Sequence, residues 1–313
     1  MKVLVAEPLG QADLDRLARE HEVDVRVSLS RDDFLAALPD YDALIVRSGV
    51  KVDAPAILAA ARLKVVGRAG VGVDNIDLEA ATGAGIAVVN APTANTLAAA
   101  EHTLALILAL ARRVAAADAS VRRGEWRRAD FMGSELGGKT LGIVGLGRVG
   151  LAVADRARAF AMTILGNDPI VDPAVAAAHE VQLLALDNVV ERSDIVTLHV
   201  PLIAQTRGLF DTSRLARMKP GALLINVARG GLVDEVALAQ ALASGRLGGA
   251  AMDVFEHEPV GASPLLDAPN TVLTPHLGAS TAEAQDRASL EVVEGVLDVL
   301  GGRPATFQVN RLG

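Results

Sequence analysis

The chain has 313 residues, of which 51% are hydrophobic, 22% charged and 3% aromatic, and its formal net charge is -8. This length accommodates two domains, and the high apolar content argues against intrinsic disorder. An acidic chain with so few aromatic side chains lacks the positive field and stacking surfaces that nucleic acid requires, so we expect no nucleic-acid partner. The chain has no cysteine, which excludes disulfides and cysteine nucleophiles.

The N-terminus is typical of a first strand rather than of a targeting segment. Its apolar run ends at Glu7 and Pro8, too early for a signal peptide. The longest apolar stretch, residues 104–111, is far shorter than the roughly 20 residues that a membrane-spanning helix needs. We therefore expect a cytoplasmic protein that makes no membrane contact.

Short apolar runs alternate with helix-like segments along the whole chain. The runs KVLVAE, VDVRVS, ALIVRS and KVVGRAG precede residue 95, and LGIVG, MTILG, DIVTLHV and ALLINVA follow residue 139. This alternation is typical of βαβ units. Strands that are apolar on both faces indicate parallel sheets covered by helices on both sides. The predicted fold class is therefore α/β.

The middle of the chain marks a junction between two such units. The segment from Asn95 to about Arg123 has no Gly or Pro and is rich in Ala and Leu, which predicts one long helix. A new α/β alternation begins at Thr140. The last predicted helix, residues 281–300, has no further strand to follow, so we expect it to return to the first lobe. The predicted domains are residues 1–95 with 281–313, and residues 96–280.

The segment GLGRVG places three glycines between an apolar strand and a helix. Gly145 would make the tight turn, Gly147 would let the backbone approach a pyrophosphate, and Gly150 would let the helix pack closely on the strand. The N-terminus of the following helix favours phosphate. Asp168 ends the next strand about 18 residues later, where a carboxylate binds ribose hydroxyls and repels a 2′-phosphate. These residues predict NAD as the cofactor; the alternative is a glycine turn beside a surface aspartate.

A second glycine turn, GRAGVGVDN, follows an earlier apolar strand. It lacks the third glycine and a downstream acid, so it is not a second dinucleotide site. Gly70 and Gly72 would expose backbone amides at the carboxyl end of a strand, where open α/β sheets bind ligands. We expect a small carboxylate there; the alternative is a tight connection that binds nothing.

Three later strands end in residues suited to hydroxy-acid chemistry. Arg229 follows an apolar strand, where its guanidinium could grip a substrate carboxylate; the alternative is an ion pair with Asp234 or Glu235. His276 is the histidine best placed to move a proton; the alternative is a structural histidine at the end of a strand. Glu258 offers a carboxylate that could orient the imidazole and stabilise its cationic form.

The remaining histidines show no metal-binding pattern. His21, His102, His179 and His199 have no mutual spacing of three to five residues, and no cysteine assists them, so we predict no metal. Two interpretations of His199 stay open: a residue that lines the cofactor cleft, or a hydrogen-bonded structural histidine.

Together, GLGRVG with its downstream aspartate, NVARGGLVDE, DVFEHEP and TPHLGAST resemble the motifs of the D-isomer-specific 2-hydroxyacid dehydrogenases, and the resemblance covers essentially the whole chain. It implies two Rossmann-like or flavodoxin-like doubly wound parallel-sheet domains with the active site in the cleft between them. Residues 1–95 and 281–313 would form the substrate-binding domain, and residues 96–280 the NAD-binding domain.

The resemblance also implies roles for single residues. Arg229 would bind the carboxylate and carbonyl of the substrate, His276 would be the acid/base and Glu258 its partner, and Asp253 would lie near the nicotinamide. The other implied contacts are Val71 and Pro201 lining the cofactor cleft, Arg148 and Val149 at the pyrophosphate, and Arg47 and Arg128 as cations for the substrate phosphate and carboxylate.

Within the family, VRSGVKV, KVVGRAGVGVDNID, NAPTANTLAAAEH and NDPI most resemble the branch that oxidises D-3-phosphoglycerate with NAD at the start of phosphorylated serine biosynthesis. That branch implies a homodimer, and this chain would be its catalytic core without C-terminal regulatory domains. Two alternatives remain: another D-2-hydroxyacid dehydrogenase, such as a glyoxylate or hydroxypyruvate reductase, and a corepressor-like protein that binds NAD as a sensor.

Overall fold

The computed structural model describes residues 1–312 and divides into two compact units. The first unit contains Met1–Asn95 and the chain from Ala279 onward, and the second contains Thr96–Gly278. Within residues 1–312, no helix combines the length and apolar character that crossing a membrane requires.

The first unit contains one five-stranded parallel sheet. Its strands are β1 (Lys2–Val5), β2 (Glu22–Val25), β3 (Ala43–Val46), β4 (Val65–Arg68) and β5 (Ala87–Asn90), in the order β2-β1-β3-β4-β5. The helices between them are α1 (Gln11–Ala18), α2 (Arg31–Ala37), α3 (Ala54–Ala59) and α4 (Leu78–Gly83). Asp53 and Asp77 begin α3 and α4 as N-caps, each accepting a hydrogen bond from the amide three residues on.

The second unit contains a seven-stranded parallel sheet. Its helices are α5 (Thr96–Ala111), α6 (Val114–Arg122), α7 (Arg148–Arg158), α8 (Pro173–Ala178), α9 (Leu186–Arg192), α10 (Thr212–Arg217) and α11 (Glu235–Ala243). Its strands are β6 (Thr140–Val144), β7 (Thr163–Asn167), β8 (Gln182–Leu183), β9 (Ile195–Leu198), β10 (Leu223–Asn226), β11 (Gly249–Met252) and β12 (Thr271–Leu273). The strand order is β12-β11-β10-β9-β6-β7-β8.

Helices cover both faces of the larger sheet, which explains why its strands lack polar alternation. Leu141 and Ile143 of β6 belong to one buried cluster with helices α5 and α7. Val144 of the same strand, with Val196 of β9, belongs to a second cluster on the other face. Every pairing between the named strands is parallel. The predicted α/β fold with two parallel sheets is confirmed.

The prediction of one long helix over residues 95–123 is wrong. Helix α5 ends at Ala111, α6 begins at Val114, and Arg113 between them has a left-handed φ of 53°. The amide of Ser134 donates to the carbonyl of Ala111 (2.9 Å), and Nη1 of Arg113 donates to the carbonyl of Asp130 (3.1 Å). Contacts with the segment 130–134 therefore satisfy groups at the end of α5, where helix propensity alone would continue the helix.

The C-terminal helix α12 (Ala282–Leu300) packs on the first sheet. Thr281 caps it by accepting from the amide of Ala284 (3.1 Å). Val292 and Val296 are fully buried, and a methyl group on Gly67 of β4 would lie 2.7 Å from both. Each buried valine contributes about 1.5–3 kcal/mol, so this helix is a part of the first unit's core.

Candidate active site

The order in which the chain adds strands to the larger sheet reverses between β6 and β9, its topological switch point. From β6 the chain proceeds to β7 and β8 on one side, and β9 to β12 follow on the other. Open α/β sheets bind ligands at the carboxyl ends of strands at such a point. Gly145 directly follows β6 with φ of 96°, and a methyl group on it would lie 2.5 Å from the carbonyl oxygen of His199, which follows β9.

The three glycines of the turn differ in what surrounds them. A methyl group on Gly150 would overlap the carbonyl of Gly145, so α7 packs directly against the turn. Gly147 is the N-cap of α7, and no heavy atom lies within 4 Å of the position a methyl group would take. Gly145 and Gly150 are thus required by the protein's own packing, whereas Gly147 faces open space at a helix N-terminus. This space suits a pyrophosphate group, with Arg148 and Val149 in the adjoining first turn.

Asp168, the first residue after β7, holds the backbone around the glycine turn. Its Oδ2 accepts from the amide of Leu146 (2.8 Å), and its Oδ1 accepts from the amides of Ile170 (2.9 Å) and Val171 (3.1 Å). Its side chain is partly exposed, so ligand hydroxyls can still reach it. Ile170 beside it is 90% exposed, an apolar surface at this edge that sequence reasoning did not single out.

Three adjacent strands deliver the predicted catalytic residues to one edge. Parallel register places the last residues of β10, β11 and β12 side by side. Arg229, Phe255 and His276 each lie three residues beyond the end of their strand. A methyl group on Gly230 would overlap the carbonyl of Phe255, so the loop of Arg229 touches the loop that carries Glu258.

The loop of Arg229 is fixed by the last residue of β10. The side-chain amide of Asn226 donates to the carbonyl of Arg229 (2.9 Å), and its oxygen accepts from the amide of Ala228 (3.0 Å). Nη1 of Arg229 donates to the carbonyl of Ala228 (2.7 Å).

The two acids offered as alternative partners of Arg229 have structural contacts of their own. Asp234 is the N-cap of α11 and accepts from the amide of Ala237 (2.9 Å). Glu235 accepts from the amide of Glu256 (2.7 Å) and from the hydroxyl of Ser263.

His276 and Glu258 form a hydrogen-bonded pair. Nδ1 of His276 lies 2.6 Å from Oε2 of Glu258, and Oε1 of Glu258 accepts from the amide of Phe255 (3.0 Å). The two side chains are 50% and 36% exposed. Because the carboxylate holds Nδ1, Nε2 of the imidazole is the nitrogen available to a substrate.

Asp253, the first residue after β11, is fully buried. Its Oδ1 accepts from the hydroxyl of Thr274 (2.6 Å) and the amide of Leu277 (2.7 Å), and its Oδ2 accepts from the amide of Gly278 (2.8 Å). Nε2 of His102 lies 3.1 Å from Oδ1. Burial raises the pKa of Asp253, but these hydrogen bonds outweigh that effect and hold the pKa below its usual range. Sequence reasoning placed Asp253 near the nicotinamide and missed its structural contacts and its partner His102.

His199 makes the contact expected of a structural histidine. Its Nε2 lies 3.0 Å from the hydroxyl of Thr197, and burial lowers its pKa to about 4. The imidazole is therefore neutral near pH 7.

The glycine turn after β4 differs from the sequence expectation. The amide of Gly70 donates to the carbonyl of Arg68 (2.8 Å), so the expectation that this amide is presented to a ligand is wrong. Gly70 has φ of 151°, and a methyl group there would overlap the guanidinium of Arg68. The carbonyl of Val71 accepts from the side chain of Asn90 (2.6 Å), and Gly72 is partly exposed. The turn thus carries a cation, Arg68, that sequence reasoning missed.

Glu7, which follows β1, fixes the loop of Arg47. Its carboxylate accepts from the amides of Arg47 (2.6 Å), Gly49 (3.0 Å) and Val50 (3.1 Å). The guanidinium of Arg47 is 3.5 Å from the carbonyl of Pro8. Because β1 and β3 flank the switch point of the first sheet, Glu7 orders the edge where that sheet would meet a ligand.

Two further predicted residues are exposed in the second unit. Arg128 begins a short 3-10 turn, Arg128–Phe131. The carbonyl of Pro201 accepts from the hydroxyl of Thr206 (2.6 Å). Among residues 1–312, no group of three or more His, Asp or Glu side chains is arranged to hold a metal ion.

Comparison with known proteins gives this site its class. Residues 104–278 match the family model of the D-isomer specific 2-hydroxyacid dehydrogenase, NAD binding domain. The chain belongs to the D-isomer specific 2-hydroxyacid dehydrogenase family, as the sequence motifs indicated. The prediction of NAD as cofactor is confirmed by this match.

Individual relatives cover nearly all of the chain. The D-3-phosphoglycerate dehydrogenase of Mycobacterium tuberculosis is 49% identical over 308 residues, 98% of this chain and 58% of that protein. The D-3-phosphoglycerate dehydrogenase of Archaeoglobus fulgidus is 47% identical over 312 residues, 99% of this chain and 59% of that protein. The crystal structure of the TT0316 protein from Thermus thermophilus has a TM-score of 0.91 and 40% identity, covering 99% of this chain and 100% of that chain. The chain therefore spans less than two thirds of the length of these curated relatives.

Proposed function

We propose that this chain oxidises D-3-phosphoglycerate to 3-phosphohydroxypyruvate with NAD, the first step of phosphorylated serine biosynthesis. The observation that carries this proposal is the hydrogen-bonded pair of His276 and Glu258 at a strand edge shared with Arg229. The curated relatives described above, which are named D-3-phosphoglycerate dehydrogenase, support the choice of substrate.

The residues around the switch point fit the cofactor. Gly145 and Gly150 shape the turn, Gly147 leaves space at the N-terminus of α7 for the pyrophosphate, and Asp168 would accept hydrogen bonds from the ribose hydroxyls. NAD held by these residues would supply the acceptor for the hydride from carbon 2 of the substrate. The other residues that we propose for cofactor binding are Arg148 and Val149 beside the pyrophosphate, Val71 and Pro201, and Asp253, which acts through the loop it holds.

The chemistry of the chain's own residues follows from the geometry of the pair. Arg229 binds the carboxylate and the C2 oxygen of the substrate with its planar guanidinium. Nε2 of His276 accepts the proton of the C2 hydroxyl, and Glu258 on Nδ1 stabilises the imidazolium that forms.

The substrate phosphate needs cations from elsewhere in the chain. Arg47, positioned by Glu7, and Arg68, lying over Gly70, are held at strand ends of the first unit. Arg128 offers an exposed guanidinium in the second unit. We propose that Arg47 and Arg68 bind the phosphate, that residues 1–95 and 281–313 form the substrate-binding domain and that residues 96–280 form the NAD-binding domain. Arg128, within the second of these, is proposed as a further cation for the phosphate or carboxylate of the substrate.

We propose that the enzyme is a cytoplasmic homodimer, assembled through an apolar surface on α6 and the segment after it. Val114 (53%), Val121 (56%), Trp126 (80%) and Met132 (81%) are exposed there. Large apolar side chains exposed close together in the sequence support an interface in this part of the chain. Light scattering coupled to size exclusion tests this assembly: Trp126→Glu should yield monomers, and a parent protein that is monomeric would refute it.

Turnover assays with defined substrates test the proposed activity. We expect NAD reduction with D-3-phosphoglycerate at a kcat/KM at least about tenfold above that with unphosphorylated D-glycerate, because the charge-assisted contacts to the phosphate are lost. Equal values for the two substrates would favour another D-2-hydroxyacid dehydrogenase, such as a glyoxylate or hydroxypyruvate reductase. NADH binding without turnover of any 2-hydroxy acid would favour a corepressor-like sensor.

A further inference from the structure

His276 has an unusual backbone conformation for a residue with a side chain. Its φ is 55°, in the left-handed region that favours glycine. A residue stays in such a conformation only when its surroundings impose it. The amide of His276 donates to the carbonyl of Asp253 (2.8 Å) and to the carbonyl of Thr274 (3.0 Å). These two hydrogen bonds help to hold the backbone of His276 in this conformation.

The side chain of Asp253 binds the backbone and side chains on both sides of His276. Before the histidine, the hydroxyl of Thr274 donates to Oδ1; after it, the amides of Leu277 and Gly278 donate to Oδ1 and Oδ2. With its own carbonyl included, Asp253 contacts four parts of this loop. The imidazole is thereby directed toward Glu258.

A buried carboxylate must itself be satisfied, and the remaining donor comes from a distant helix. Nε2 of His102, on α5, lies 3.1 Å from Oδ1 of Asp253 and 3.2 Å from the hydroxyl of Thr274. Because the threonine hydroxyl donates its proton to Asp253, Nε2 of His102 must carry a proton to contact the same oxygen. His102 is separated from Asp253 by 151 residues of sequence.

We propose that His102 is a positioning residue for the reaction: its Nε2–H donates to Asp253, and Asp253 in turn holds His276 in the conformation that faces Glu258. This proposal rests on the proposed role of His276 as acid/base. His102 itself does not have to touch substrate or cofactor. It acts by completing the hydrogen bonds of a buried carboxylate, which otherwise could not hold the loop at the same position.

Two amide substitutions of different length test this role. His102→Gln can place an N–H donor where Nε2 now lies, whereas the shorter side chain of His102→Asn cannot. We expect His102→Asn to lower kcat about 10- to 100-fold, as a misplaced catalytic group does, with NADH affinity unchanged within about threefold. His102→Gln should retain kcat within about threefold of the parent protein. A His102→Asn variant with parental kcat, or a folded His102→Gln variant as impaired as His102→Asn, would overturn the proposal.

A spectroscopic measurement separates this inference from the proposed activity. The proton between Nδ1 of His276 and Glu258 can be followed by NMR on protein labelled with 15N-histidine and assigned with His276→Gln. We expect to observe the resonance of this proton in the parent protein and in His102→Gln. In His102→Asn we expect the resonance to broaden or disappear. If the parent protein fails to oxidise 3-phosphoglycerate but the NMR pattern holds, the proposed function fails and the positioning role stands; a resonance unaffected in His102→Asn contradicts the positioning role.

Discussion

Two aspartates in the larger sheet occupy equivalent positions and differ in their surroundings. Asp168 is the first residue after β7, and Asp253 is the first after β11. Each accepts backbone amides from the turn after a neighbouring strand: Leu146 for Asp168, and Leu277 and Gly278 for Asp253. Asp168 is partly exposed, whereas Asp253 is fully buried.

This difference shows that burial decides what a strand-end carboxylate can do. Water or a ligand can reach Asp168, so it can shape its turn and also bind ribose. No solvent reaches Asp253, so its oxygens serve the protein alone and depend on donors such as His102. A buried carboxylate without its hydrogen bonds would be strongly destabilised. The open side of the sheet, which is the glycine turn with Asp168, is the part that we propose selects the cofactor. The closed side, which is the loop held by Asp253, carries His276, the proposed acid/base.

The largest expected effect comes from removing the imidazole of His276, which lies on the loop that Asp253 holds. His276→Ala should lower kcat by about 10²- to 10⁴-fold, the usual contribution of a positioned acid/base group. NADH affinity, measured by fluorescence titration, should stay within about twofold, because the glycine turn and Asp168 are untouched. Unchanged turnover would remove His276 from the mechanism.

The comparison of the two aspartates is tested directly by the same substitution at both. Asp253→Asn puts an NH2 group or a poorer acceptor against buried amides, and we expect it to lower the free energy of unfolding by about 2–3 kcal/mol. Asp168→Asn should cost less than about 1 kcal/mol, because water can satisfy the exposed turn. Urea denaturation measures both values; equal losses at the two positions would contradict the distinction.

The preference for NAD over NADP tests the proposed role of Asp168 on the open side. Asp168→Ala removes the charge that repels a 2′-phosphate, so the preference for NAD over NADP, as a ratio of kcat/KM, should fall at least about tenfold. The stability of Asp168→Asn provides the control for damage to the turn. A variant that still excludes NADP would show that cofactor choice lies in other residues.

The pair of His276 and Glu258 is tested by removing its carboxylate. Glu258→Gln can no longer hold Nδ1 and stabilise the imidazolium that forms, so we expect kcat for oxidation to fall about 10- to 100-fold, as it does when a catalytic group is misplaced. Steady-state kinetics of the parent and the variant measure the change, with NADH affinity as the control for folding. A Glu258→Gln variant with parental kcat would mean that Glu258 does not act on the proton transfer.

The smallest expected effect concerns His199, whose carbonyl lies against Gly145 on the open side. Burial lowers its pKa from the usual 6.5 to about 4. Between these values the unfolded chain binds a proton that the folded protein does not, so stability falls as pH falls. Between pH 7 and about 5.5 the loss from this group is about 1 kcal/mol. His199→Gln should be less sensitive to acid by that amount in urea denaturation; identical pH dependence would contradict the buried neutral state.

The open side could be recognised from local sequence because its parts lie close together in the chain. Gly145, Gly147 and Gly150 lie within one short turn, and Asp168 ends the next strand. A positive φ and a close helix approach are needs of the backbone itself, and glycine meets both. The α/β class followed from the same kind of signal, since apolar runs without alternation mark strands buried on both faces.

The closed side depends on contacts that no local pattern encodes. His102 reaches Asp253 across 151 residues, and Glu7 orders the loop of Arg47 across 40. The end of α5 is likewise set by the segment 130–134, which is why composition predicted a longer helix.

By itself, the sequence determined the strands, the glycine turn and the types of residue that end each strand. Only the tertiary structure decided which strand ends meet, which carboxylate is exposed and which is buried, and so which one is open to a ligand and which one holds a loop. The physical reason is that backbone conformation is governed by near neighbours in the chain, whereas burial and hydrogen-bond partners depend on the order in which the strands pair.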